Sequence, residues 1–316
     1  MIANAIRKSA YYVLSLLRKI LRNCLILLGN RKGKWIDKLM TTMAMWVVKI
    51  DFIRRGRLKF NFHPDDIFIV TYPRSGTALV RMILYQLTTD GSMEFEHISQ
   101  FIPFFDRLLS IGKEPESHSS PRVFTTHFRR RWLPKKKCKY IYLIRDGRDV
   151  MVSQYHFMAY MDFGYTDTFS QFFNQFMKEG HPYGTWFDHV GEWRSQRGNP
   201  NILFLAYEEL RRDLAGCIRR IAAFCGLEIE PGRFSKIMEK CSFDFMKENQ
   251  VKFDLRKEYH APPKPDSTDF IRKGQVGEWK EYLYPGQQLR FEKKFQRRLG
   301  RLGLTLNFNE VSENAG

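Results

Sequence analysis

Residues 67–77 read Ile67-Phe68-Ile69-Val70-Thr71-Tyr72-Pro73-Arg74-Ser75-Gly76-Thr77, an apolar run that breaks at a proline and a glycine. Its first half has the uninterrupted, β-branched character of a buried strand in a parallel sheet, and residues 78–87 have the pattern of a helix. A strand, a tight turn and a helix N-terminus bring backbone N–H groups and partial positive charge together, so this stretch predicts an anion site. The alternative is an ordinary strand–turn–helix connection, and the Walker A spacing G-x-x-x-x-G-K-S/T is absent.

The composition indicates a globular protein with an unevenly distributed charge. Of the 316 residues, 43% are hydrophobic and 15% aromatic, and the net charge is +18. Residues 1–60 hold fourteen Lys and Arg against two Asp, which places twelve of the eighteen net charges there. Nucleic-acid-binding proteins more often carry such charge on the folded domain, so we expect no nucleic-acid partner. The five scattered cysteines and the lack of a metal-ligand cluster predict a cytoplasmic location and no metal.

The basic N-terminal region has the pattern of an amphipathic helix. Residues 6–28 place apolar side chains at helical spacing with Lys and Arg between them. The longest uncharged run, residues 39–48, is too short to span a membrane, and a signal peptide is not indicated. This region could lie on an anionic membrane surface, which would make the protein peripheral, or it could pack on the main domain. We divide the chain into a basic amphipathic helical extension (1–60), a main domain (61–309) and a flexible tail (310–316).

Three further strands are predicted at residues 122–127, 140–144 and 202–207, and helical segments alternate with them. This alternation predicts a three-layer α/β fold around a central, mostly parallel sheet. Ligands of such sheets bind at the carboxyl ends of the strands. Predicted strand ends carry Arg74, His127, Arg145 and Tyr207, so we expect these side chains to converge. Downstream, a Pro-rich loop at residues 254–271 could act as a lid and leads into two cations and a glycine that suit a phosphate.

These stretches together resemble the sulfotransferases that use 3′-phosphoadenosine 5′-phosphosulfate (PAPS), and are most similar to the cytosolic type. The resemblance covers about residues 60–300. The matching segments are residues 71–77 (TYPKSGT in the family), Thr126-His127 (KTH), Arg145 with Ser153 (the 3′-phosphate pair), Tyr207 (YEDL), residues 241–246 (TSFxxM) and residues 270–280 (RKGxxGDWK). We therefore take residues 61–309 as a sulfotransferase domain with a P-loop-like phosphosulfate-binding loop.

The resemblance implies a set of binding and catalytic residues. His127 and Arg74 would be catalytic, the first as general base and the second at the leaving phosphate. No metal would be required, and the product of PAPS would be 3′,5′-adenosine bisphosphate (PAP). The implied cofactor-binding residues are Arg74, Ser75, Gly76, Thr77, Ala78, Leu79, Arg145, Ser153, Tyr207, Ser242, Phe243, Met246, Arg272, Lys273 and Gly274.

The chain also departs from the family pattern. Arg74 replaces the loop lysine, and Thr125 replaces the lysine that precedes Thr-His, so one cation expected near the transferring group is missing. Ala78-Leu79 replaces Thr-Trp, which leaves the adenine without a tryptophan partner. The residues that form a dimer motif in cytosolic members are changed at positions 284, 285 and 289, which leaves the oligomeric state open.

Three functions are compatible with these observations. The first is in-line sulfuryl transfer from PAPS to a hydroxyl of a small molecule, a lipid or glycolipid, or a glycan. The second is a non-catalytic, membrane-associated nucleotide-binding relative, which Thr125 and Leu79 suggest. The third is a nucleotide-dependent kinase, which the short loop and the absence of an acidic Mg²⁺ ligand at Arg145 disfavour. Aromatic residues between Phe101 and Phe163 could line an apolar acceptor pocket.

Overall fold

The centre of the molecule is a sheet of four parallel strands. The computed structural model describes residues 60–111, 120–133, 137–161, 168–178, 183–258 and 269–306. The strands are β1 (Ile67–Thr71), β2 (Val123–Thr126), β3 (Lys139–Ile144) and β4 (Ile202–Ala206). They lie in the order β2–β1–β3–β4, and all three neighbouring pairs are parallel. The predicted parallel α/β sheet is therefore confirmed.

Helices connect and cover the strands. They are α1 (Thr77–Thr88), α2 (Phe105–Ile111), α3 (Gly147–Tyr160), α4 (Phe169–Lys178), α5 (Trp186–Arg194), α6 (Tyr207–Arg212), α7 (Leu214–Cys225), α8 (Arg233–Lys240), α9 (Phe243–Glu248), α10 (Leu255–Glu258) and α11 (Pro285–Leu299). Within the described ranges, none of these helices combines the length and the apolar character that crossing a membrane demands. The helix predicted over residues 6–28, most of the predicted lid and the predicted tail lie outside the described residues.

Both faces of the sheet are buried, which explains why β1, β3 and β4 are almost entirely apolar. On one face, Ile67 and Ile69 belong to a core cluster with residues of α1 and α7, including Val80 and Ile218. On the other face, the Tyr142 ring stacks on Trp193 of α5 with ring centroids 5.3 Å apart. Helices on both faces make three layers, so the carboxyl edge of the sheet is the place left for a ligand.

The end of β4 differs from the prediction in one detail. Tyr207 is the first residue of α6 and not the last residue of the strand. The helical segment that follows β4 is divided at Asp213, whose carboxylate accepts a hydrogen bond of 2.8 Å from the Gly216 N–H. This side-chain cap starts α7 as a new helix because it satisfies an N–H that has no partner in the first turn.

Candidate active site

The β1–α1 loop, residues 72–76, has the backbone of an anion-binding turn. Arg74 and Gly76 have φ angles of 71° and 101°, and Gly76 is the N-cap of α1. A β-carbon on Gly76 would lie 2.5 Å from Cδ2 of Tyr207, so a larger residue would collide with that ring. The glycine therefore lets the loop pass close to Tyr207 while the positive end of the α1 dipole faces the neighbouring cavity.

One cavity at the carboxyl edge of the sheet brings most of the predicted site residues together. Segments that are far apart in sequence contribute to its wall: the β1–α1 loop, the ends of β2 and β3, helix α3, and residues 270–274. The predicted residues that line it are Arg74, Gly76, Thr77, Ala78, Leu79, His127, Arg145, Ser153, Tyr207, Phe243, Met246, Arg272, Lys273 and Gly274. Their roles stay predictions, but their convergence does not depend on the family resemblance.

Two predicted residues, Ser75 and Ser242, do not line this cavity. Ser75 is 1% exposed, and its hydroxyl has no hydrogen-bond partner among the described residues. Ser242 is the N-cap of α9, where its hydroxyl accepts a hydrogen bond of 3.2 Å from the Phe245 N–H. Neither side chain lines the cavity, so the structure offers their neighbours and not their hydroxyls as binding groups.

His127 follows β2 directly and is fixed by its neighbours on two sides. Its Nδ1 lies 2.8 Å from the Thr71 carbonyl oxygen, at the end of β1. Its backbone N–H donates to the carboxylate of Asp106 at 3.1 Å. Because a carbonyl oxygen only accepts hydrogen bonds, we assign the ring proton to Nδ1 from this network, which leaves Nε2 with a free lone pair.

The electrostatic surroundings keep His127 neutral. Burial, together with the charges of Arg81 and Arg74, lowers its pKa from 6.5 to about 4, against the opposing effect of the hydrogen bond to the Thr71 carbonyl. Nε2 of His189 lies 3.2 Å from the His127 carbonyl oxygen. Because a carbonyl oxygen only accepts hydrogen bonds, Nε2 of His189 is the donor. A neutral imidazole with a free Nε2 has the form that a general base needs.

Arg145 and Tyr207 connect the loops around the cavity. The Arg145 guanidinium lies 4.4 Å from the centroid of the Tyr207 ring and donates to the carbonyl oxygens of Arg74 at 3.2 Å and Gln275 at 3.0 Å. Tyr207 donates its hydroxyl proton to the Gly274 carbonyl oxygen at 3.1 Å. The β1–α1 loop, the end of β3 and residues 274–275 are thereby held in one arrangement.

Arg74 extends toward α3 and not along its own loop. Its Nε donates to the Ser153 hydroxyl at 3.2 Å, and its guanidinium lies 4.6 Å from the Phe157 ring centroid and 5.2 Å from that of Phe270. Burial lowers the Arg74 pKa to about 10, with the charges of Arg145 and Arg272 contributing. Three guanidinium groups close enough to repel one another form a concentration of positive charge that a phosphate would relieve.

Glu278 balances part of this charge. Its carboxylate pairs with both terminal nitrogens of Arg272 and lies 3.2 Å from Nζ of Lys273. The segment is anchored by Asp149 of α3, whose carboxylate accepts from the Gly277 N–H at 2.7 Å and the Trp279 N–H at 3.0 Å. Arg272 and Lys273 are therefore presented to the cavity as members of an ion-pair cluster.

Sequence reasoning missed several residues that belong to this site. Arg81 and Glu278 line the cavity, and Asp106 holds the backbone of His127. The position of Arg81, four residues after Thr77 and so on the same helix face, is a signal that could have identified it. Nothing in the sequence pairs Asp106 with His127, because the two meet only when α2 packs beside β2.

An α/β sheet with a cation-rich cavity over a strand–loop–helix turn defines a protein that binds phosphate or sulfate esters. The Sulfotransferase domain family model matches residues 64–303, and this chain belongs to the sulfotransferase family of enzymes. It is 34% identical to a guinea pig (Cavia porcellus) 3-beta-hydroxysteroid sulfotransferase over 262 residues, which are 79% of this chain and 88% of that protein.

Two crystal structures of similar proteins contain PAP. One is a mouse sulfotransferase that is 29% identical, with a TM-score of 0.60 over 76% of this chain and 86% of the other. The second is a retinol dehydratase in complex with retinol and PAP, 25% identical, with a TM-score of 0.67 over 78% of this chain and 84% of the other. The expected family and fold are thus confirmed.

Proposed function

We propose that this enzyme transfers the sulfuryl group of PAPS to the hydroxyl of a small apolar molecule, with His127 as the general base. The observation that carries the proposal is the state of His127, a neutral imidazole protonated at Nδ1 that lines the same cavity as Arg74, Arg145 and Arg272. A base beside several cations suits the reaction of a hydroxyl with an anionic donor.

The residues around the cavity fit PAPS by their chemistry. Arg145, Arg272 and Lys273, with Ser153, would hold the 3′-phosphate, and the N–H groups of Gly76 and Thr77 at the start of α1 would hold the 5′-phosphate. Phe243 fits the adenine as an aromatic partner, and Gly274 fixes the position of its ring, because a β-carbon at Gly274 would lie 2.6 Å from that ring. When bound, PAPS supplies the sulfuryl group, whose bond to a 5′-phosphate oxygen breaks as the bond to the acceptor oxygen forms.

The chain's own groups act on the acceptor. His127 Nε2 takes the proton of the acceptor hydroxyl, and the Thr71 carbonyl stabilises the imidazolium that results through its hydrogen bond to Nδ1. Asp106 keeps the imidazole in place through the His127 backbone N–H. Arg74 and the start of α1 supply positive charge to the phosphate that departs.

The acceptor proposed here is apolar. Phe104, Phe157 and Phe270 line the cavity, and the Phe104 ring centroid lies 5.3 Å from that of His127. The relatives named above are a 3-beta-hydroxysteroid sulfotransferase and a protein crystallised with retinol. Hydroxysteroids and retinol are apolar molecules that carry a hydroxyl. A sterol or retinoid alcohol therefore has more support than a sugar.

Calorimetric titration of the full chain with PAP, with and without Mg²⁺, and separately with Mg·ATP tests the donor. We expect metal-independent binding of PAP and no comparable binding of ATP. Transfer of radioactive sulfate from labelled PAPS to a 3β-hydroxysteroid, retinol and 4-nitrophenol then tests the acceptor. Preference for Mg·ATP would overturn the proposal in favour of a kinase, and PAP binding without transfer to any hydroxyl would favour a non-catalytic relative.

A lipid or glycolipid acceptor is the corresponding proposal for the basic N-terminal region. It is motivated by the amphipathic pattern of residues 6–28 and the charge of residues 1–60. Flotation with anionic vesicles, for the full chain and for a chain lacking residues 1–60, tests it. Equal flotation of the two proteins would contradict attachment through this region, and with it the peripheral location at a cytoplasmic membrane surface.

A further inference from the structure

The arginines that line the cavity have different neighbours. Arg74 donates to Ser153 of α3, and Arg145 and Arg272 are close enough to lower its pKa. Arg81 also lines the cavity, and its guanidinium lies against Phe104, a ring that contacts His127. The surroundings of the base therefore contain a second cation besides Arg74.

Helix α1 places Arg81 next to the base. Arg81 stands one turn after Thr77, whose hydroxyl lies 2.7 Å from the Thr71 hydroxyl, and Thr71 in turn holds His127. The Arg81 side chain is almost fully buried, and its guanidinium carbon lies 4.8 Å from the centroid of the Phe104 ring, the ring that also contacts His127. The Phe104 ring thus contacts both the Arg81 guanidinium and the His127 imidazole.

The positive charge of Arg81 lowers the pKa of His127. Of the two arginines that lower the His127 pKa, Arg81 has the larger effect. Arg81 also faces the same side of the sheet as Thr125, because Thr125 pairs in register with Ile69 and Ile69 belongs to the core that α1 covers. Thr125 is fully buried and absent from the cavity wall, so α1 and not β2 delivers a cation here.

We propose that Arg81 contacts the sulfuryl oxygens of PAPS beside His127 and stabilises their negative charge during transfer. This inference rests on the proposed function. The transferring group must lie near the base that activates the acceptor, and a charge fixed there before the reaction stabilises the transition state without reorganisation. Arg81 would then be a catalytic residue, because it would touch the group that is transferred.

Arg81 also has a structural contact that an experiment must separate from this role. Its Nη2 donates to the Ile102 carbonyl oxygen at 2.6 Å and to the Ser99 hydroxyl at 2.8 Å, which fastens residues 99–102 to α1. A purely structural arginine would support PAPS and PAP binding equally, since the two nucleotides differ only in the sulfuryl group. The difference between the two affinities therefore isolates the proposed contact.

The test is calorimetric titration of the full-length wild type and the variants Arg81→Met and Arg81→Gln with PAPS and with PAP. We expect both variants to bind PAPS about tenfold more weakly, the size of a lost charge-assisted hydrogen bond, and PAP within about twofold of wild type. Arg81→Gln keeps amide donors for Ile102 and Ser99, so it tests the loss of charge even if Arg81→Met disturbs the fold. Ser99→Ala, which weakens the structural contact and keeps the charge, should leave both affinities unchanged.

The outcomes distinguish this inference from the function on which it rests. If the variants lose PAPS and PAP affinity equally, or lose neither, Arg81 is structural and the inference is wrong. If the wild type binds neither nucleotide, the proposed function itself fails. A second readout needs no nucleotide: the His127 pKa, followed by NMR, should rise in Arg81→Gln because a neighbouring positive charge is removed.

Discussion

Replacing Gly274 with alanine should damage the nucleotide site more than the fold. Gly274 has a φ of 61°, and a β-carbon there would lie 2.6 Å from Cδ2 and Cε2 of Phe243, well inside the 3.4 Å at which ordinary contact begins. Two costs follow. An L-residue in the left-handed region loses about 1–2 kcal/mol, and the Phe243 ring must move off the position from which it would stack on adenine. Base–aromatic stacking contributes about 1–3 kcal/mol, so we expect the Kd for PAP to rise about tenfold.

Gly232→Ala is the matched control for this prediction. Gly232 has a φ of 83° with nothing within 4 Å of the added β-carbon, so it imposes the backbone cost without the collision. Chemical denaturation should show a loss of about 1–2 kcal/mol in the free energy of unfolding for Gly232→Ala, and at least as large a loss for Gly274→Ala. Calorimetry should show weakened PAP binding in Gly274→Ala alone. If Gly274→Ala binds PAP as tightly as Gly232→Ala does, Phe243 is not the adenine platform and our account of this part of the site is refuted.

Three further predictions concern the base and the adenine. His127→Asn should lower kcat for sulfuryl transfer by about 10²–10⁴-fold while PAP binds within about twofold of wild type, because the imidazole acts on the acceptor; an unchanged kcat would remove its catalytic role. In the ligand-free protein, the NMR titration of the His127 imidazole, assigned by its absence in His127→Asn, should have a midpoint near pH 4, so that the base is neutral above this value and lost below it; a midpoint at 6.5 would contradict the buried environment. Leu79→Trp should tighten PAP binding about fivefold by adding a second aromatic partner for the adenine, as measured by calorimetry against Ala78→Thr, and weaker binding would place the adenine elsewhere.

The sheet and the main parts of the site could be predicted because they depend on local patterns. Within the eleven residues 67–77, the apolar run at 67–71 and its break at Pro73 and Gly76 predict the strand, the turn and the start of the helix. Since parallel strands end at one edge, the convergence of His127, Arg145 and Tyr207 followed from topology alone.

The remainder depended on side-chain directions that sequence spacing does not contain. Ser242 belongs to a matching motif, yet its hydroxyl caps α9, because a serine before a helix can serve the backbone as readily as a ligand. Arg74 belongs to the β1–α1 loop, and sequence spacing does not show that its long side chain reaches Ser153 of α3. The sequence does not distinguish Arg81 from the other basic residues, because its contact with Phe104 depends on the packing of α1. The predicted N-terminal helix, most of the predicted lid and the tail lie outside the described residues and stay predictions.

The pairing of Glu278 with Arg272 and Lys273 has a consequence for selectivity among polyanions. The Glu278 carboxylate already neutralises part of the charge of Arg272 and Lys273. A phosphate that binds these two cations therefore replaces an anion that the protein itself provides. Such an exchange releases few bulk ions, so affinity should depend only weakly on salt concentration, unlike the binding of nucleic-acid phosphates to exposed lysines. Although the chain has a net charge of +18, Glu278 thus reduces the non-specific binding of other anions to Arg272 and Lys273.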